Sequence, residues 1–112
     1  MDQDAAVTAL GALAQDTRLS VFRLLVKAGP NGMTAGDIAT AVGAPPSTMS
    51  HHLGGLERAG LASSRRDGRA VIYAADYEGT RRLLAFLMED CCQGRPEICG
   101  SGIAAPVNCT TC

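Results

Sequence analysis

Apolar residues recur along this chain with two different periods, and the switch between them outlines its elements. From Asp4 to Ala14 the run is rich in Ala and Leu, with Val7, Leu10 and Ala14 at helical spacing, which predicts a short helix. Asp16 and Thr17 are N-cap candidates for a second helix reaching Ala28, with Leu19, Phe22, Leu25 and Val26 as its apolar face. Gly29-Pro30-Asn31-Gly32 breaks the chain. Thr34, followed three residues later by Asp37, has the form of a capping box for a third helix carrying Ile38, Ala39 and Val42. Gly43-Ala44-Pro45 ends it. A fourth helix begins at about Pro46 or Ser47, turns Met49, Leu53 and Leu56 inward, and stops at Ala59-Gly60. Two short helices joined by a tight turn form a helix-turn-helix pattern.

Between Leu61 and Ala75 the period changes. A polar strand, SSRR, and the β-formers Val71, Ile72 and Tyr73 flank Asp67-Gly68, a strong hairpin signal that predicts a type I′ turn centred on those two residues. A hairpin directly after a helix-turn-helix is a wing, with Arg65, Arg66 and Arg69 at its tip. Helical spacing returns at Tyr77, where Leu83, Leu84, Phe86, Leu87 and Met88 give a wide apolar surface. Gly94 is the expected C-cap, Pro96 cannot continue the helix, and the small, polar segment beyond reads as a mobile tail. The predicted fold is mainly α with a small β-hairpin: a winged helix-turn-helix in the order α-α-α-α-β-β-α. Residues 1–92 form the folded domain and residues 93–112 a cysteine-containing tail.

Composition narrows the choice of partner. The 112 residues suit one domain, and 46% hydrophobic content favours a folded chain. The net charge of −1 announces no nucleic-acid binder, but its distribution shows a mild basic focus in one segment. From Ser47 to Arg69 four arginines face only Glu57 and Asp67, a local +2, while the rest of the chain sums to −3. The acidic N-terminus without an apolar core does not read as a signal peptide, and no apolar run is long enough to span a membrane, so a cytoplasmic location is expected. Thiols stay reduced there, so the five cysteines, all in the last 22 residues, are better read as metal, metalloid or redox groups than as a disulfide framework.

The stretches LAQDTRLSVFRLLV (13–26), APPSTMSHHLGGLERAGL (44–61) and RRDGRAVIYA (65–74) resemble the ArsR/SmtB family of bacterial winged-helix repressors. The likeness runs from about residue 5 to residue 90. It implies a homodimer built on the first and last helices, binding double-stranded operator DNA, and no enzymatic activity. Family members with a metal site on the third helix carry a Cys-x-Cys pair there, where this chain has TAGDIATAV. Members with a zinc site on the last helix use Asp and His, and this last helix has no His. Cys91, Cys92 and Cys99 are instead similar to the arsenite-responsive subgroup with a site at the end of the last helix.

On this reading Ser47, Thr48, Ser50 and His51 reach bases and phosphates from the start of the fourth helix, while His52, beside Leu53, has an equally good structural role. Arg65, Arg66 and Arg69 meet the DNA backbone or minor groove, with Arg66 and Arg69 ahead of Arg65. Val7, Leu10, Leu83, Leu84, Leu87 and Met88 form the dimer face, because so small a domain has little interior left for all of them. Three thiolates complete the pyramidal coordination of As(III), with Sb(III) or an organoarsenical also admitted, whereas structural zinc closes four ligands. Cys109 and Cys112 form a separate C-x-x-C pair, left out of the primary site. A thiol-redox or zinc-responsive repressor is the alternative. A thiol-dependent arsenate reductase ranks below both, because no cysteine lies at a helix N-terminus or in a Gly-rich loop.

Overall fold

The structure is a computed structural model and describes residues 1–89. Its elements run α1 (Gln3–Leu13), α2 (Asp16–Ala28), β1 (Met33–Thr34), α3 (Ala35–Val42), α4 (Pro46–Arg58), β2 (Ala62–Asp67), β3 (Ala70–Ala75) and α5 (Tyr77–Met88). All five expected helices are present, and the sheet has one strand more than the hairpin. β1 pairs antiparallel with β3 through Met33↔Tyr73 and Thr34↔Ile72, giving the order β1-β3-β2. Two residues leading into a helix carry too little pattern to read as a strand.

Local chemistry starts and stops these helices. Asp2 caps α1 by accepting from the Ala5 amide, Thr34 caps α3 by accepting from Asp37, and Asp76 caps α5 by accepting from Gly79. The expected caps of α2, Asp16 and Thr17, lie inside the helix. Gln15 is the cap, and its side-chain oxygen accepts from the Arg18 amide at 2.8 Å. α4 opens at Pro46 with Pro45 as N-cap and no side-chain cap, so Ser47 is free of capping duty. The hairpin turn is also displaced by one residue. Asp67 pairs with Ala70, so the two turn residues are Gly68 and Arg69. Gly68 takes φ +64°, which suits glycine at the first central position of such a turn.

The core gathers where α2, α3 and α4 meet under the sheet. Val21, Leu25, Ile38, Met49, Leu53, Leu56 and Leu61 are fully buried, each contributing roughly 1.5–3 kcal/mol of apolar burial. The inward set read for α4 is correct. The set read for α2 is half correct: Leu25 is buried, but Val21 shares that face, while Leu19 and Val26 are exposed. α1 packs through three alanines, Ala6, Ala9 and Ala12, which bring its backbone close to the core and leave its larger residues outside. At the other end of the chain, Gly79 in the first turn of α5 sits directly on the Gly60 carbonyl at the α4–β2 corner, with no room for a Cβ.

Candidate nucleic-acid interface

The open start of α4 sets the character of the candidate site. With no side chain folded over it, the first turn presents the Ser47 amide and the positive end of the helix dipole, while Pro46 has no N–H and the Thr48 N–H donates to the Pro45 carbonyl at 3.1 Å. Ser47, Thr48, Ser50 and His51 are all exposed on this turn and the next, whereas Met49 and Leu53 anchor the opposite face. Thr48 donates its hydroxyl to the Pro45 carbonyl at 3.0 Å, which fixes its rotamer and leaves the oxygen's lone pairs outward. Ser47, Ser50 and His51 share one face at i, i+3, i+4 spacing. This is a row of short polar groups on a helix with a rigid back.

His52 turns partly inward, and its Nδ1 accepts from Arg18 Nε at 3.4 Å. The same guanidinium donates through Nη2 to His51 Nε2 at 3.1 Å. Burial lowers the His52 pKa below its ordinary 6.5, and the charges of Arg18 and His51 add to that. The structural role considered for His52 therefore has a partner, Arg18, that the sequence does not reveal. The two lie 34 residues apart, and only a glycine inside a helix, Gly55, marks the spot.

The wing divides its arginines between two faces. Alternate residues of a strand point to opposite sides. Ser64 donates to the Glu57 carboxylate of α4 at 3.0 Å, so Arg66, two residues on, shares the side of the sheet that faces α4. Arg65 points the other way and reaches across β3, donating to the carbonyls of Asn31 at 2.9 Å and Pro30 at 3.4 Å. It braces the α2–β1 loop and is already hydrogen-bonded, unlike the tip-facing role expected for it. Arg69 occupies the turn itself and is exposed. Among the described residues the only ion pairs run from Glu78 to Arg81 and Arg82 on α5, at 2.8 and 3.3 Å, so no wing arginine is held in an ion pair there.

A second surface lies on α1 and α5. Val7 is 60% exposed, Leu10 42% and Leu87 44%, while Leu84 and Met88 are half-buried. Leu83 departs from the expected set: at 4% exposure it belongs to the core of its own protomer, because it falls on the face of α5 turned towards the body of the domain. Cys91, Cys92, Cys99, Cys109 and Cys112 lie outside the described residues, as does the Gly94 cap. Among the described residues no group of three His, Cys, Asp or Glu side chains is placed to hold a metal ion, and no helix is long and apolar enough to cross a membrane.

Residues 13–65 match the family model of a helix-turn-helix domain. The chain is 32% identical over 88 residues to the nodulation protein NolR of Rhizobium meliloti, covering 79% of this chain and 70% of that one. It is 35% identical over 78 residues to a cadmium resistance transcriptional regulatory protein CadC homolog of Staphylococcus aureus, covering 68% and 63%. Its fold superposes on the homodimeric winged helix-turn-helix DNA-binding domain of Mb0332 from Mycobacterium bovis, a possible ArsR-family transcriptional regulator. The TM-score is 0.64 at 31% identity, with 77% of each chain covered.

Proposed function

Since the chain belongs to the ArsR family of winged-helix transcriptional regulators, we propose that it is a metalloid-responsive repressor: a homodimer that holds operator DNA until As(III) is captured by Cys91, Cys92 and Cys99. It acts by binding, not by catalysis. The observation that carries the DNA half is the exposed polar face of α4, backed by fully buried Met49 and Leu53 and flanked by Arg66 and Arg69 on the wing. The helix lies in the major groove with Ser47, Thr48, Ser50 and His51 at base edges and phosphates, and the wing arginines meet the backbone. The apolar face of α1 and α5 joins two copies, so two heads address half-sites about one helical turn apart.

The effector half rests on the chemistry of the donor set. The five thiols all lie beyond residue 89, and the described residues hold no competing metal cluster, so a thiophilic centre draws its ligands from that segment. Three thiolates match the three bonds of pyramidal As(III) or Sb(III). Each thiol gives up its proton on capture. The cluster follows α5 directly, so binding there acts on the helix that carries half of the dimer face. By linkage, the metalloid weakens DNA binding by the factor that DNA weakens metalloid binding.

Fluorescence anisotropy tests both halves. A labelled duplex from the region upstream of the gene is titrated with reduced protein and then with arsenite. Arsenite is expected to release the wild type and leave the Cys99→Ser variant bound. Release by zinc or cadmium but not arsenite would move the assignment to a divalent-metal sensor, and release by peroxide to a redox sensor. Absence of binding to the duplex at any protein concentration would remove the repressor reading itself.

A further inference from the structure

Arg18 lies on α2, neither on α4 nor on the wing, yet its guanidinium is spent on the two histidines of α4. It donates to His51 Nε2 at 3.1 Å and to His52 Nδ1 at 3.4 Å. Room for it is made by Gly55: a Cβ at that position would lie 2.8 Å from Arg18 Cζ and 2.9 Å from Nη1. Any larger residue there would push the guanidinium off the helix. The described residues offer it no carboxylate, so this fork is not part of an ion pair.

An arginine side chain has five donors and no acceptor. A ring nitrogen facing it must therefore present its lone pair, which places the proton of each neutral imidazole on the other nitrogen. For His52 that gives the Nε2–H form. For His51 it gives Nδ1–H, the form that free histidine disfavours, and it points that donor away from Arg18. The two rings stand 5.7 Å apart and tilted by 58°, so one planar guanidinium reaches both while they point to different places.

We propose that Arg18 is a positioning and specificity-determining residue for DNA reading: lodged against Gly55, it locks the rings of His51 and His52 and makes His51 a donor that selects an acceptor on a base edge, such as guanine O6 or a purine N7. This rests on α4 being the reading helix. The role differs from that of the wing arginines. Arg66 and Arg69 attract any phosphate, whereas Arg18 acts only through the histidines and so matters only for the correct sequence.

The test uses the full-length reduced chain and two variants. Arg18→Ala removes the guanidinium. Gly55→Ala keeps the charge but displaces the flexible end of Arg18, and it serves where Arg18→Ala fails to fold. Nitrogen-15 NMR of the histidine rings, recorded without DNA, is expected to show the Nδ1–H form of His51 in the wild type and a shift towards Nε2–H in both variants. Anisotropy then compares the gene's upstream duplex with a scrambled duplex of equal composition. Both variants are expected to lose preference for the upstream duplex by about tenfold or more, the cost of one misaligned base contact, with unchanged affinity for the scrambled one. An Nε2–H His51 in the wild type, or a tautomer that neither variant alters, overturns the proposal. So does a salt dependence that falls by about one phosphate contact in Arg18→Ala, because Arg18 would then be a backbone contact. A wild-type chain with no preference between the duplexes overturns the DNA reading itself, and the NMR result distinguishes that failure from a failure of the clamp.

Discussion

Helices α1 and α4 each bury one face and expose the other, but they sort their residues in opposite ways. α4 buries Met49, Leu53 and Leu56 and shows water Ser47, Thr48, Ser50 and His51. α1 buries Ala6, Ala9 and Ala12 and shows Val7 and Leu10. The outer face of α4 is stable in water and suits a hydrated, charged partner that comes and goes. The outer face of α1 leaves its larger apolar groups uncovered, which suits a permanent protein neighbour. Each helix thus carries two roles, and the residues it hides show which partner it expects.

The sharpest way to break this contrast is to spoil the α1 face. Leu10→Asp is expected to forfeit about 1.5–3 kcal/mol of apolar burial per copy, and a two-fold interface counts it twice. Sedimentation should show monomers at concentrations where the wild type is dimeric, with helix content by circular dichroism retained. Monomers that lose their helices would mean that Leu10 belongs to the protomer's own core. Leu53→Ala attacks the hidden side of α4 and should cost about 2–5 kcal/mol in urea unfolding. A cost below that range would mean that α4 is not anchored where its exposed face requires.

Changes on the exposed side should leave stability alone. Ser50→Ala is expected to weaken binding to the upstream duplex by about 0.5–1.5 kcal/mol with no change in the urea midpoint. The wing offers an internal control. Arg66→Ala should reduce the slope of log affinity against log salt by about one. Arg65→Ala, which loses only carbonyl partners at Pro30 and Asn31, should leave that slope unchanged. Equal slopes for the two variants would erase the division of the wing into two faces. The smallest effect concerns pH. The folded-state pKa of His52 is depressed below 6.5, chiefly by burial, so the unfolded chain binds its proton more readily. Its contribution to stability is complete above 6.5 and declines as pH falls through that value towards the lowered pKa. His52→Gln should flatten the stability profile in that window.

Much of this was legible in the sequence because the strong signals were local. Helical spacing at Met49, Leu53 and Leu56, the Thr34 cap, and a glycine between two β-forming runs each act within a few residues. The misreadings share a cause of another kind. Val21 replaced Leu19 and Val26 on the buried face of α2 because neighbouring elements, not apolarity, decide which side of a helix is covered. Leu83 went inward for the same reason. β1 exists because β3 offers it an edge, and Met33-Thr34 alone does not announce that. Within the candidate interface, the polar row on α4 could be read from its composition. Arg18 could not, since its link to His51 and His52 closes only when α2 is laid across α4.

The contact of Gly79 on Gly60 gives the domain something like a gearing. Where side chains separate two elements, a small displacement of one can be absorbed by a change of rotamer. Here main chain rests on main chain, and no rotamer is available to absorb it. Gly60 lies between the end of the helix that carries the polar row and the start of the first wing strand, while Gly79 lies in the first turn of the helix that precedes the cysteine-bearing segment. Under the proposed function, a tilt of α5 would reach the corner between α4 and the wing through this backbone contact, with the two glycines as its bearing surface.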